Sequence, residues 1–239
     1  PASRPPAQVT ARAVAAAAER LAAPSAVVSG VLELLDDGTA PVRLVAARVA
    51  QSPEVAAQVL RLANSALFAE PVDSLERAVV RVGERTLRAL LLAAATYRLL
   101  EGALPVYGMP RLALVRHSGE VATMAQSLAR RSSSAVAAQA YLAGLLHDLG
   151  KPILAAVAAE GPAAGAEVRG VADERREFGT DHARVGGWIA TRWGLPPDLA
   201  EAMERHHAAD PPEAPVARAV WLADLAAHAA HGEPAAARR

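Results

Sequence analysis

The sequence predicts an all-α fold built from two helical subdomains. Three observations lead there. Ala, Leu, Arg and Glu dominate the 239 residues, and these are strong helix formers. No segment sustains the two-residue alternation of a half-buried strand. Clusters of Pro, Gly and Ser recur between apolar residues spaced three and four apart.

The elements follow in order. Residues 1–7 (PASRPPA) read as disordered or as a linker remnant, and 8–22 as an Ala-rich, weakly anchored helix. Val28, Val31, Leu32 and Leu35 make a helical stripe that Asp36, Asp37 and Gly38 stop. Pro41 suits a first helical position before Val42, Val45 and Val49. Ser52, Pro53 and Glu54 form a start signal of capping hydroxyl, proline in the first turn and an acid near the helix N-terminus. Val55, Val59 and Leu62 line that helix, and Asn64 and Ser65 end it. Ser74 opens a short helix that ends near Gly83, and a long helix runs over 84–100. Residues 101–111 hold two Pro and two Gly and read as the connection between the halves. Further helices are expected at about 112–130, 136–149, 181–193, 197–207 and 215–229, with a loop and a short helix in 160–172. The expected division is a tail and weak helix over 1–19, an N-terminal subdomain over 20–105, a C-terminal subdomain over 106–231 and a disordered tail over 232–239.

Composition removes several function classes. Lys plus Arg and Asp plus Glu are balanced at 25 each, which argues against a general nucleic-acid binder. There is no Cys, so a disulfide scaffold, a thiolate zinc site and a cysteine nucleophile are excluded. Any metal must be held by carboxylates and the seven His. No run of 18 apolar residues lacks charge, so no membrane span is expected. No charged start followed by an apolar run suggests secretion, and the expected location is cytoplasmic. The chain opens on Pro rather than Met and is read as a fragment or trimmed chain. Lys151 is its single lysine.

The histidines carry the chemistry. His147 and Asp148 end an apolar stretch in which Leu142, Leu145, Leu146 and Leu149 share a face. Adjacent side chains on a helix diverge by about 100°, yet both can reach one ion near a helix end. Imidazole with carboxylate suits a divalent ion such as Mn, Fe, Zn or Mg. His117, His182, the pair His206 and His207, and Asp224 each stand on other faces that read as buried. A lone histidine there is commonly a core residue. An unpaired buried carboxylate is costly, so the set is better explained by one shared polar site. The alternative is a buried polar network of the same residues bonded to one another and to water.

The order His117, His147-Asp148, Asp224 resembles the H…HD…D pattern of the HD superfamily of metal-dependent phosphohydrolases. The match is closer to its HDOD branch, the HD-related output domains. It rests on 60–68 (LRLANSALF), 74–83 (SLERAVVRVG), 116–118 (RHS), 143–150 (AGLLHDLG), 179–186 (GTDHARVG), 193–196 (WGLP) and the pair His206-His207. Together these span about residues 20 to 230. The resemblance implies an all-α fold with an N-terminal helical bundle packed on an HD-like helical half. It implies a bacterial signalling or regulatory output module, commonly without demonstrated hydrolase activity. The related HD-GYP branch hydrolyses cyclic dinucleotides at a two- or three-metal site. Here Ala-Ala-Asp-Pro-Pro follows His207, with no Gly-Tyr-Pro loop, which sets cyclic di-GMP hydrolysis in doubt. Ser52 stands where an Asp before the Pro is common, and it caps a helix equally well.

The resemblance implies His117, His147, Asp148 and Asp224 as first metal ligands, with His182, His206 and His207 as candidates for a second ion. Lys151 would sit beside them as a phosphate contact. The favoured reading is a non-catalytic signalling module that acts on a protein partner. The alternative is a metal-dependent phosphohydrolase acting on a nucleotide or cyclic dinucleotide. A DNA-binding regulator is the third reading, from Arg77, Arg81, Arg85 and Arg88 at helical steps. Asp73, Glu76 and Glu84 interleave with those arginines, so a solvated face is the better reading and nucleic acid is set aside as a partner.

Overall fold

The computed structural model describes residues 11–21, 25–64, 70–160 and 167–232. Thirteen α-helices form from the described residues, and pairing outside helices is confined there to a bridge between Leu104 and Met109. The expected tails lie almost wholly outside the described residues, as does the 65–68 end of the LRLANSALF segment.

Capping sets the N-terminal bundle. Ser25 caps α2 (Ala26–Asp37) by accepting from the Val28 N–H, and Gly38 ends it at φ 65°. In α3 (Val42–Val49), Pro41 stands one residue earlier than expected: its ψ of 138° is extended, so the helix starts at Val42. Ser52 caps α4 (Pro53–Ala63) through the Val55 N–H, and Ser74 caps α5 (Leu75–Val82) through the Arg77 N–H. Gly83, at φ 77°, separates α5 from α6 (Glu84–Glu101). The Asn64 amide clamps the loop before α5. Its Nδ2 donates to the Val72 carbonyl at 2.9 Å, and its Oδ1 accepts from the Val72 N–H at 2.7 Å. Asn64→Ala is expected to lower stability by about 2 kcal/mol, read as a shifted denaturant midpoint with unchanged slope.

The arginines of the third reading are mostly paired within the protein, with Arg77 and Arg85 exposed and Arg81 and Arg88 half-buried. Arg88 pairs with Asp36 at 2.6 Å, Arg77 with Asp73 at 3.4 Å, and Arg81 donates to the Ala63 and Glu70 carbonyls. Three of the four are therefore engaged within the protein.

A 3-10 turn over Pro105–Tyr107 connects the halves. The second half holds α7 (Ala113–Ala129), α8 (Ser134–Leu146), α9 (Gly150–Glu160), α10 (Val171–Phe178), α11 (His182–Arg192), α12 (Pro197–Arg205) and α13 (Pro215–Ala230). α7 and α8 pack closely because Gly144 has no side chain; a Cβ there would lie 2.7 Å from the Ala122 Cα. α13 crosses both, while α11 packs on α9 and α12. The N-terminal helix α1 (Ala11–Leu21) buries Val14, Ala17 and Ala18 and packs against α9 and α11.

Two helices differ from the sequence expectation. The helix expected over 136–149 ends at Leu146, and after a turn α9 begins at Gly150. Gly150 and Pro152 look like breakers, but a first helical turn needs no N–H from proline. Of the stretch 160–172, expected to hold a loop and a short helix, residues 161–166 lie outside the described residues, 167–170 are not helical, and a helix runs over Val171–Phe178. The stretch Ser134–Ala159 is long and apolar enough to cross a membrane by length and composition, and 67% of its apolar window is buried in the bundle.

Candidate metal centre

Helix ends converge on one point. α8 delivers His147 at its C-terminus, and the following turn delivers Asp148. α12 delivers His206 at its C-terminus, with His207 next, and α11 begins with His182. α7 and α13 contribute His117 and Asp224 from their interiors. His147, Asp148, His182, His206 and Asp224 are buried. The structure thus brings together all seven ligand-type residues named from the sequence, with Lys151 beside them.

Asp148 lies between two groups of imidazoles. Its Oδ2 is 3.6 Å from His117 Nε2 and 3.5 Å from His147 Nε2. Its Oδ1 is 3.1 Å from His182 Nε2 and 3.6 Å from His206 Nε2. On the first side, Asp224 Oδ1 stands 3.2 Å from His117 Nε2 and 3.7 Å from His147 Nε2. On the second, His207 Nε2 lies 3.0 Å from His182 Nε2.

The ring tautomers explain these contacts. His147 Nδ1 donates to the Gly144 carbonyl at 2.7 Å, and His206 Nδ1 donates to the Met203 carbonyl at 2.7 Å. A neutral ring with its proton on Nδ1 presents a bare lone pair at Nε2. His182 Nδ1 donates to Glu174 at 2.7 and 2.8 Å, which aims its Nε2 the same way. Yet His182 Nε2 and His206 Nε2 stand 3.1 Å apart. At that distance the two rings need either a proton on one Nε2 or a metal cation between their lone pairs. Asp148 Oδ1 and Asp224 Oδ1 are likewise buried without a hydrogen bond. Orphaned buried carboxylate oxygens facing imidazole lone pairs are the chemistry of a divalent-ion site.

Spacing agrees. The ligand atoms of Asp148, His182, His206 and His207 all lie within 4.8 Å of one another, as do those of His117, His147 and Asp148. Donors held at about 2.1 Å from a common ion stand roughly 3–4 Å apart. The residues fit the ions that the resemblance implies.

Without an ion, protons fill the role. Burial opposes a charged His182, but the Glu174 carboxylate outweighs it and the ring is pushed up to about 9. Burial pushes His206 down to about 4 and, with the neighbouring His206 ring, drives His207 well below its ordinary value. Burial would raise the Asp148 carboxyl, yet His147 and the Lys151 ammonium hold it well below the usual carboxylate range. Lys151 loses to burial and regains more from Asp148, 2.6 Å away, so its ammonium is held above the ordinary lysine value. Lys151 is therefore the partner of a ligand carboxylate as well as part of the cavity wall.

Sequence reasoning missed two residues here. Glu174 sits in Ala-Asp-Glu-Arg-Arg-Glu (172–177), whose charge reads as a solvated face, yet it is buried. His228 lies one turn beyond Asp224, with Nε2 3.1 Å from Asp224 Oδ1. The i,i+4 spacing was a usable signal. A cavity of about 650 Å³ opens over the centre, lined among others by Tyr107, Arg116, Lys151, Arg169, His207 and His228.

The family model described as HDOD domain matches residues 21–209, most of the chain. The chain belongs to the HDOD domain family. The HDOD fold recurs in crystal structures. One, of an HDOD domain protein with unknown function from Geobacter sulfurreducens, is 25% identical, covers 93% of this chain and 80% of that one, and has a TM-score of 0.57. Another, from Shewanella amazonensis SB2B and described provisionally as a phosphohydrolase, is 26% identical, with 93% and 82% coverage and a TM-score of 0.58. An uncharacterized protein of Treponema pallidum (strain Nichols) is 27% identical over 172 residues, 68% of this chain. The HDOD chain spans 33% of that relative's length.

Proposed function

We propose that this HDOD domain is a cytoplasmic signalling output module that holds a pair of divalent ions, Mn, Fe, Zn or Mg, and acts through a protein partner rather than by turnover. One observation carries the two-ion part: Asp148 offers one oxygen to each of two imidazole groups, and its Oδ1 has no hydrogen bond. His117, His147, Asp148 and Asp224 would hold one ion, and Asp148, His182, His206 and His207 the other. An ion there supplies Lewis-acid polarisation of a phosphoryl oxygen and activation of water.

The loop after the histidine pair carries no Gly-Tyr-Pro, and that is what favours the non-catalytic reading. It is tied back to α13, where Trp221 Nε1 donates to the Ala208 carbonyl at 3.0 Å and Arg218 Nε to the Pro212 carbonyl at 2.8 Å. The second reading is a metal-dependent phosphohydrolase for a nucleotide or cyclic dinucleotide. The cavity favours it, with Lys151 close to the centre and Arg116 and Arg169 exposed on its wall.

The deciding experiment loads the purified protein with each metal and assays a panel of phosphomonoesters, nucleotides and cyclic dinucleotides. The expected result is two ions per chain by elemental mass spectrometry and no turnover above metal-free protein. Turnover abolished by His147→Ala would overturn the non-catalytic reading and establish the second.

A further inference from the structure

His182 opens α11 and has two nitrogens in use. Its Nδ1 meets both oxygens of Glu174, at 2.8 and 2.7 Å, and its Nε2 lies 3.1 Å from Asp148 Oδ1. Glu174 Oε2 also accepts the His182 backbone N–H at 2.7 Å. One carboxylate thus holds the backbone and the ring of the same residue. Glu174 comes from α10, a separate helix, and is 1% exposed. A buried carboxylate is costly unless its hydrogen bonds are made, and these run to His182. The other two buried Nε2 donors are set differently, by backbone carbonyls of Gly144 and Met203 within their own helices. His182 is thereby the one of these three rings oriented by a charged group from another element. A ring that rotated about its Cβ would take Nε2 out of reach of His206 and Asp148.

We infer that Glu174 is the positioning residue of the second ion site, fixing His182 with its proton on Nδ1 and its Nε2 lone pair toward Asp148, His206 and His207. This inference rests on the two-ion reading above. Outer carboxylates of this kind raise ligand basicity, and their loss typically weakens metal binding by 10–100-fold, on the order of one to two decades. Glu174→Gln keeps the shape, removes the charge and sets an amide N–H against one of the two donors.

The test measures zinc affinity and stoichiometry in wild type, Glu174→Gln, His182→Ala and the double variant. The expected result is a second zinc bound roughly 10–100-fold more weakly in Glu174→Gln, with the first unchanged. Adding Glu174→Gln to His182→Ala should produce no further loss, because the two act through one ring. Equal weakening of both ions, no weakening, or a full additional loss in the double variant would overturn the inference. Should Glu174→Gln fail to fold, nitrogen-15 NMR of wild type decides: a slowly exchanging, downfield His182 Nδ1 proton is expected with or without zinc, and its absence overturns the assignment. Wild type that binds a single zinc would instead overturn the two-ion reading, and the Nδ1 proton would still decide the role of Glu174.

Discussion

Asp148→Asn is expected to abolish binding of both ions, where His117→Ala and His207→Ala each weaken one. Asp148 is the residue shared by the two ligand groups, with Oδ2 toward His117 and His147 and Oδ1 toward His182 and His206. An amide keeps the volume but cannot serve two cations as an anion does. Elemental mass spectrometry after dialysis against Mn or Zn should fall from two equivalents to near zero. Two equivalents retained by Asp148→Asn would refute the bridging role.

The same substitution should also destabilise the metal-free protein. Lys151 and His182 both face the Asp148 carboxylate, at 2.6 and 3.1 Å. Removing one member of a buried charge cluster leaves the others uncompensated, at a cost of about 3 kcal/mol. The pH dependence follows from the directions of the shifts. Asp148 is held well below its ordinary value, so its contribution is present above about pH 4 and is lost as pH falls through the folded value. His182 is raised to about 9, so its contribution is full below roughly pH 6.5 and is lost as pH rises through 9. His117, His206 and His207 are lowered instead, His206 to about 4, so each costs stability as pH falls below about 6.5. Over the range from about pH 4 to 9, metal-free wild type should therefore be most stable near pH 6.5, and Asp148→Asn should flatten the alkaline limb. Urea midpoints across that range provide the check.

Gly150→Ala should lower stability by about 3 kcal/mol and loosen the centre, although alanine is the better helix former. A Cβ at Gly150 would run into the His182 carbonyl oxygen and lie 2.7 Å from its carbonyl carbon. Those atoms are backbone, so they cannot swing aside as a side-chain tip can. α9 and α11 would have to separate, and His182 and Asp148 lie on the two sides of that contact. For a chain of this size, about 3 kcal/mol corresponds to a melting temperature roughly 6–12 °C lower. Gly119→Ala is the control. It lies within α7, a Cβ there meets nothing within 4 Å, and it should be neutral or stabilising by up to about 1 kcal/mol. A Gly150→Ala protein that melts at or above wild type would refute the close-contact argument.

The sequence by itself determined most of the helices and named most of the polar residues that gather at the centre. Ser52 and Ser74 were legible as helix starts and Gly83 as a boundary, because capping and left-handed turns are local chemistry. His117, His147, Asp148, His182, His206, His207 and Asp224 were legible because polar residues on apolar faces are few in this chain. α9 was not, since Gly150 and Pro152 carry a breaker's identity but occupy a first turn. Glu174 was not, since nothing local separates a buried glutamate from its exposed neighbours in a charged run. Only the tertiary structure decided that Lys151 pairs with Asp148, that Glu174 holds His182 and that Asp148 divides its two oxygens between two groups of rings. Those are contacts between residues on different helices or across a turn. They depend on how closely glycines such as Gly144 and Gly150 let backbones approach, and sequence spacing does not encode that distance.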